Sequence, residues 1–135
     1  MANYVITPDV ALRLAAAQQT PDAAHRLLAP TLQRSELLAE LYRLVRAGRM
    51  SRETAADQLA FVRGLRLRYL GDRVLQQVAW NVADQLGWPD TYAAEYIALT
   101  KLQGDALVTL DDDLAAGAAQ FGVGVAPFAA LLRPD

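Results

Sequence analysis

The stretch Ala106-Leu107-Val108-Thr109-Leu110-Asp111-Asp112-Asp113 decides the fold. Its first half is a short apolar run of the kind that makes a strand buried on both faces, and such strands belong to parallel sheets covered by helices. Its second half ends the strand in three acids, either as the acidic first turn of a helix or as functional carboxylates at a strand end. Sites in parallel α/β sheets form outside the carboxyl ends of the strands.

Working outward, the rest of the chain repeats this alternation of short apolar strands and helices. Tyr4 to Ile6 is a strand, and Thr7-Pro8-Asp9 is a helix start with Thr as cap, Pro in the first turn and an acid behind it. That helix is expected to reach about Ala17. Gln18 to Ala24 is a polar connection, and Arg26 to Ala29 is a second apolar segment stopped by Pro30. Thr31 is expected to open a long helix carrying Leu37, Leu41, Leu44 and Val45 and ending at Gly48. Ser51 caps a third helix to about Val62, and Leu65 to Leu70 alternates apolar residues with arginine as an extended segment would. Asp72 caps a helix that Gly87 ends, and Asp90 is expected to cap Tyr92 to Gln103, closed by Gly104. Alternating strands and helices imply an α/β fold around a mostly parallel sheet, in a single domain spanning 1–135.

Leu114 to Leu132 runs for nineteen residues without a charge, long enough to span a bilayer. Gln120, Gly122-Val123-Gly124 and Pro127 interrupt it, so it reads as helix, turn, short buried strand and turn. The start, Met1-Ala2-Asn3-Tyr4, has no basic segment before an apolar run and does not read as a signal peptide. A cytoplasmic protein without a membrane segment is expected.

Composition narrows the chemistry. The chain has no cysteine and one histidine, His25. Disulfides, thiol nucleophiles and zinc fingers are excluded, and a second imidazole ligand is lacking. Fifteen Asp and Glu remain, suited to acid-base work or to a hard cation such as Mg²⁺ or Mn²⁺.

The net charge of -2 hides a split. Arg43 to Arg73 holds eight arginines against three acids, whereas Asp84 to Asp113 holds seven acids against Lys101 alone. A basic arm beside an acidic pocket suits a metal-dependent nuclease, with Arg43, Arg46, Arg49, Arg66 and Arg68 as phosphate contacts. A salt-bridged helical surface would show the same split. Asp9, Glu36 and Asp111 fall at or near strand ends, and Asp90 sits at the start of the helix that precedes the last strand. Each also has an ordinary reading, as first-turn acid, solvated stripe or cap.

At these residues the sequence resembles the PIN-domain ribonucleases, in particular the toxins of VapBC toxin-antitoxin pairs. The resemblance covers nearly the whole chain. It rests on the first strand running into Val10-Ala11-Leu12, on Ala29-Pro30-Thr31-Leu32 leading to Ser35-Glu36-Leu37-Leu38, on Thr91 to Leu99, and on Val108-Thr109-Leu110-Asp111-Asp112-Asp113-Leu114. It implies an α/β/α sandwich and a Mg²⁺ or Mn²⁺ site that cleaves RNA. It also implies a cognate antitoxin lying across the acidic pocket and the basic arm, and a homodimer.

Residue by residue, Glu36 and Asp111 match the family's second and fourth acids, and Asp113 a frequent auxiliary. The other two positions depart. Thr7 stands where the family has its first aspartate, with Asp9 two residues late, and Ala93 stands where it has its third. Asp9 and Asp90 are the available stand-ins for metal ligation. Glu95 is a poor one, because two helical residues rotate about 200° away from position 93. An inactivating Asp→Ala substitution and natural divergence both leave alanine at 93. An impaired domain that binds RNA or antitoxin without cutting is the alternative.

Overall fold

Strand β1 (Asn3–Ile6) is buried on both faces, with Tyr4 and Ile6 turned to one side and Val5 to the other. The computed structural model describes residues 2–134. After β1 come α1 (Pro8–Ala17), β2 (Arg26–Pro30), α2 (Gln33–Arg46), α3 (Arg52–Gly64), β3 (Arg68–Leu70), α4 (Arg73–Leu86), α5 (Tyr92–Gln103), β4 (Ala106–Val108), α6 (Asp112–Gln120) and a 3₁₀ turn, Phe128–Leu132.

The strands pair in the order β3-β2-β1-β4, all parallel. Successive side chains alternate between two cores. On one face Tyr4, Ile6, Leu27 and Val108 meet α1, α2, α3 and Leu131. On the other, Val5, Leu28 and Leu107 meet α4, α5 and α6. The result is a three-layer α/β/α sandwich. Each fully buried aliphatic side chain, such as Leu14, Leu107 or Ile97, contributes on the order of 2 kcal/mol through removal from water.

Helix ends follow the local chemistry. Ser51 Oγ accepts the Thr54 N–H at 3.0 Å, and Asp72 Oδ1 accepts the Leu75 N–H at 2.9 Å. Gly87 closes α4 in the left-handed region at φ +70°, which its missing Cβ permits.

Several expected boundaries move. The helix after Pro30 begins at Gln33, because the Thr31 N–H still bonds to Leu70 carbonyl oxygen at 3.2 Å, prolonging the β2–β3 pairing. Thr91, not Asp90, is the residue flanking α5. Thr7 flanks α1 without capping a backbone N–H. The segment Leu65 to Leu70 is a strand only from Arg68, since Arg66 takes a left-handed turn at φ +57°. Strand β4 ends at Val108 because Thr109 Oγ1 accepts the Asp111 N–H at 3.1 Å and turns the chain. The short buried strand expected within Leu114 to Leu132 is reduced to one bridge from Val125 to Leu107, and Val125 is exposed. No described helix is long and apolar enough to cross a membrane.

Candidate functional site

From β1 the chain proceeds outward to β2 and β3, then returns across to β4 on the other side of β1. A crevice therefore opens at the carboxyl ends of β1 and β4, where connections depart in opposite directions. It is occupied by a cleft of about 570 Å³, whose acidic lining is Asp9, Glu36, Glu40, Asp90 and Asp111. Thr7, Arg43, Tyr92 and Tyr96 add polar and aromatic groups to the wall, and Ala93 adds a methyl group.

Four of these carboxylates are each fastened by one oxygen. Asp9 Oδ1 accepts from the Thr7 hydroxyl and from the Val10 N–H at 2.8 Å. Glu36 Oε1 accepts from the Tyr96 hydroxyl at 2.7 Å. Asp90 Oδ1 accepts from the Tyr92 N–H at 3.1 Å. Asp111 Oδ1 is the N-cap of α6, accepting from Asp113 N–H at 2.9 Å and Leu114 N–H at 3.1 Å. The second oxygen of each has no hydrogen bond within the described residues. Four oriented carboxylates with an open oxygen each leave the cleft strongly negative.

Glu36 sits on a buried relay. Gln33, fully buried, donates from Nε2 to Ile6 carbonyl oxygen at 2.7 Å and to the Tyr96 hydroxyl at 3.4 Å, and the Tyr96 hydroxyl donates in turn to Glu36 Oε1. The relay leaves Gln33 Oε1 buried without a hydrogen bond. Burial pushes the Glu36 pKa above the ordinary value, the Tyr96 donation opposes this, and the nearby Asp90 charge adds to the rise. Burial pushes the Tyr96 phenol well up, reinforced by Glu36. Glu95 is also raised, first by burial and then by the charge of Glu36.

Asp9, Glu36, Asp90 and Asp111 are thus brought to one cleft, and Ala93 is exposed on its wall. Asp113 is exposed in the first turn of α6 and does not line it. Glu95 does not line it either, as the helical rotation requires, although the charge of Glu36 reaches it. Among the described residues no three His, Asp or Glu side chains stand close enough to share one ion.

The five arginines do not form one arm. Arg43 reaches the cleft rim, where it pairs with Glu40 at 2.8 Å in an exposed contact worth little to stability. Arg46 and Arg49 lie at and beyond the far end of α2, outside the cleft. Arg66 and Arg68 lie at the amino end of the sheet, opposite the cleft, because β3 starts there.

Tyr96 and Gln33 are site residues that the sequence reading missed. A polar-tipped aromatic at the third residue after Ala93, inside the apolar run Tyr96-Ile97-Ala98-Leu99, was the available signal, since a buried phenol needs a partner.

No known family's profile matches this chain, and no curated protein matches it. Among solved structures it is similar to the crystal structure of PAE2754 from Pyrobaculum aerophilum. The two superpose with a TM-score of 0.73 at 24% identity, over 97% of this chain and 94% of that one. That likeness establishes the three-layer fold.

Proposed function

We propose that this protein is a Mg²⁺- or Mn²⁺-dependent endoribonuclease of PIN-domain type, acting as the toxin of a VapBC-like pair in the cytoplasm. The observation that carries the reading is the set of four carboxylates, each fastened through one oxygen and open at the other, around a cleft at the sheet's switch point. The motif resemblance supplies the reaction class.

The donor set fits a hydrated cation better than a closed cage. Mg²⁺ keeps several waters and needs only one or two protein carboxylates, so the absence of three converging acids among the described residues is compatible with it. In this reading Glu36 and Asp111 would hold the cation, with Asp9 and Asp90 as the further carboxylates available to it. A bound cation there supplies an activated water and neutralises charge on the phosphate. The chain's own residues do the rest. Tyr96 fixes the Glu36 carboxylate, the Asp113 and Leu114 N–H groups fix Asp111, and Arg43 at the rim takes a phosphate oxygen. A homodimer and an antitoxin segment laid across the acidic cleft complete the proposal.

The test is cleavage of a structured RNA with Mg²⁺ or Mn²⁺. Activity is expected to vanish in EDTA and in Asp111→Asn. Cleavage that survives both overturns the mechanism.

A specific observation favours a second reading, a domain that holds RNA or antitoxin without cutting. Ala93 presents a methyl group to the cleft, and the Thr7 hydroxyl is held between Asp9 and Val108 carbonyl oxygen. Calorimetric titration with Mn²⁺ separates the two. Micromolar binding favours the enzyme, and none up to millimolar favours the binding module.

A further inference from the structure

A second pocket of about 570 Å³ lies at the amino end of the sheet, and three arginines, Arg26, Arg66 and Arg68, line it. Arg26 opens β2 and Arg68 opens β3. Leu28 is in parallel register with Arg68, and Arg26 precedes Leu28 by two residues, so both arginine side chains leave the same face of the sheet. No guanidinium of the three has an ion pair or hydrogen bond within the described residues. Arg66 adopts φ +57°, a conformation that glycine takes without strain and that a side-chain-bearing residue rarely does. The one carboxylate on the pocket lining, Asp22, accepts the Ala24 N–H through Oδ1 and pairs with none of the three, so positive charge is in excess around the cavity, and guanidinium groups match phosphate oxygens in pairs.

The positive character continues beyond the pocket. Strand β3 is the open edge of the sheet. Along its flank Arg34 lies over the Tyr69 ring at 4.4 Å, and Arg63 lines the same groove. This edge connects the amino end of the sheet with the end that carries the cleft.

We infer that the Arg26, Arg66 and Arg68 pocket is a second phosphate-binding site, separate from the acidic cleft, which takes the backbone of an RNA that also enters the cleft. The choice of RNA rests on the ribonuclease reading; the anion site rests on the arginines alone. The five residues of β2 that separate the two ends of the sheet rise about 16 Å at ~3.3 Å each. An RNA hairpin spans that length and a dinucleotide does not. Arg68, on the edge strand β3, would also keep sheets from pairing with one another, a role that Arg26 on the interior strand β2 does not share, so loss of RNA binding in Arg26→Ala separates the two.

The experiment measures binding of a labelled RNA hairpin to the full chain in EDTA by fluorescence anisotropy over a range of KCl concentrations. The triple variant Arg26→Ala, Arg66→Gly, Arg68→Ala is expected to bind at least tenfold more weakly, with a log-log salt slope shallower by about 3. Arg66→Gly suits the local backbone. Should the triple variant lose its circular dichroism signature, Arg26→Ala and Arg68→Ala singly, both exposed at strand starts, are each expected to lower the slope by about 1. Arg13→Ala, on α1, serves as control and is expected to leave the slope unchanged. An unchanged slope in the arginine variants, or a wild-type chain that does not bind the hairpin, overturns the site. Normal slopes and normal losses with no metal-dependent cleavage overturn the ribonuclease reading and leave this site standing.

Discussion

The Tyr96 hydroxyl donates to Glu36 Oε1 across 2.7 Å, joining the first turn of α2 to the second turn of α5. This contact spans sixty residues of sequence and holds a cleft carboxylate whose pKa burial raises. Gln33, anchored on the end of β1, supports it from behind.

Tyr96→Phe removes the donor while keeping the ring's volume. We expect a loss of about 1 kcal/mol in urea denaturation, below the ~1.5–3 kcal/mol of a hydrogen bond to a charged group because Glu36 is half-buried and partly screened by water. The Glu36 carboxyl should then titrate at still higher pH, and Mn²⁺ binding measured by calorimetry should require a correspondingly higher pH. An unchanged midpoint and unchanged Mn²⁺ titration would remove Tyr96 from the site.

The pH dependence of stability has a definite sign. The folded-state pKa values of Glu36 and Glu95 lie above the ordinary 4.5, so the folded chain binds these protons more tightly than the unfolded chain does. Their contribution is fully present below pH 4.5 and is lost as pH rises through the raised folded values. In EDTA, stability from these two groups should therefore decline as pH rises from about 4.5 toward neutrality, a change that solvent screening of these half-buried carboxyls keeps small. Glu36→Gln should flatten that decline. A profile that steepens in the variant contradicts the assignment.

Asp111 serves two purposes that substitution can separate. As N-cap of α6 it accepts two backbone N–H groups, so Asp111→Ala should cost about 1 kcal/mol in thermal or urea unfolding. Asp111→Asn retains an acceptor oxygen and should keep most of that stability, while weakening Mn²⁺ binding tenfold or more, about 1.4 kcal/mol. Equal loss of stability in both variants would show that the charge, not the cap, holds the helix end.

Ala93→Asp adds a carboxylate to the exposed wall of the cleft. Mn²⁺ affinity should rise about tenfold, on the order of 1.4 kcal/mol, and RNA cleavage with it. No gain in either would count against reading position 93 as a lost ligand.

Gly104 is required by packing. A Cβ there would lie 3.0 Å from Val5 Cγ2 in the central strand and 3.2 Å from the Thr100 Cα. Backbone cannot give way as a flexible side chain does, so Gly104→Ala should cost about 1–3 kcal/mol. Hydrogen exchange should show the loss at the β1–β4 pairing. A neutral substitution would mean that α5 shifts freely against the sheet.

Much of the secondary structure was legible along the chain because its signals are local. Ser51 and Asp72 accept backbone N–H groups three residues on, Gly87 stops its helix by adopting a positive φ, and the apolar run at Leu107-Val108 is buried on both faces. Boundaries failed where tertiary pairing competed with a local cue. Thr31 is drawn into pairing with β3 instead of opening α2, and Val125 forms a single bridge instead of a strand.

The grouping of Asp9, Glu36 and Asp111 follows from the parallel sheet, which brings the starts of α1, α2 and α6 to the carboxyl ends of the strands. The positive ends of those helices favour carboxylates in just those turns. The arginines that follow one another from Arg43 to Arg68 had to separate. A chain leaving the cleft along α2 comes back through α3 to the opposite end of the sheet before β3 begins. Residue order thus specified which carboxylates and guanidiniums were available and which helix turns they occupied. Which of them face one another was decided by the direction of the strands, because a parallel sheet carries neighbours in sequence to opposite ends of the molecule and brings Tyr96 to Glu36.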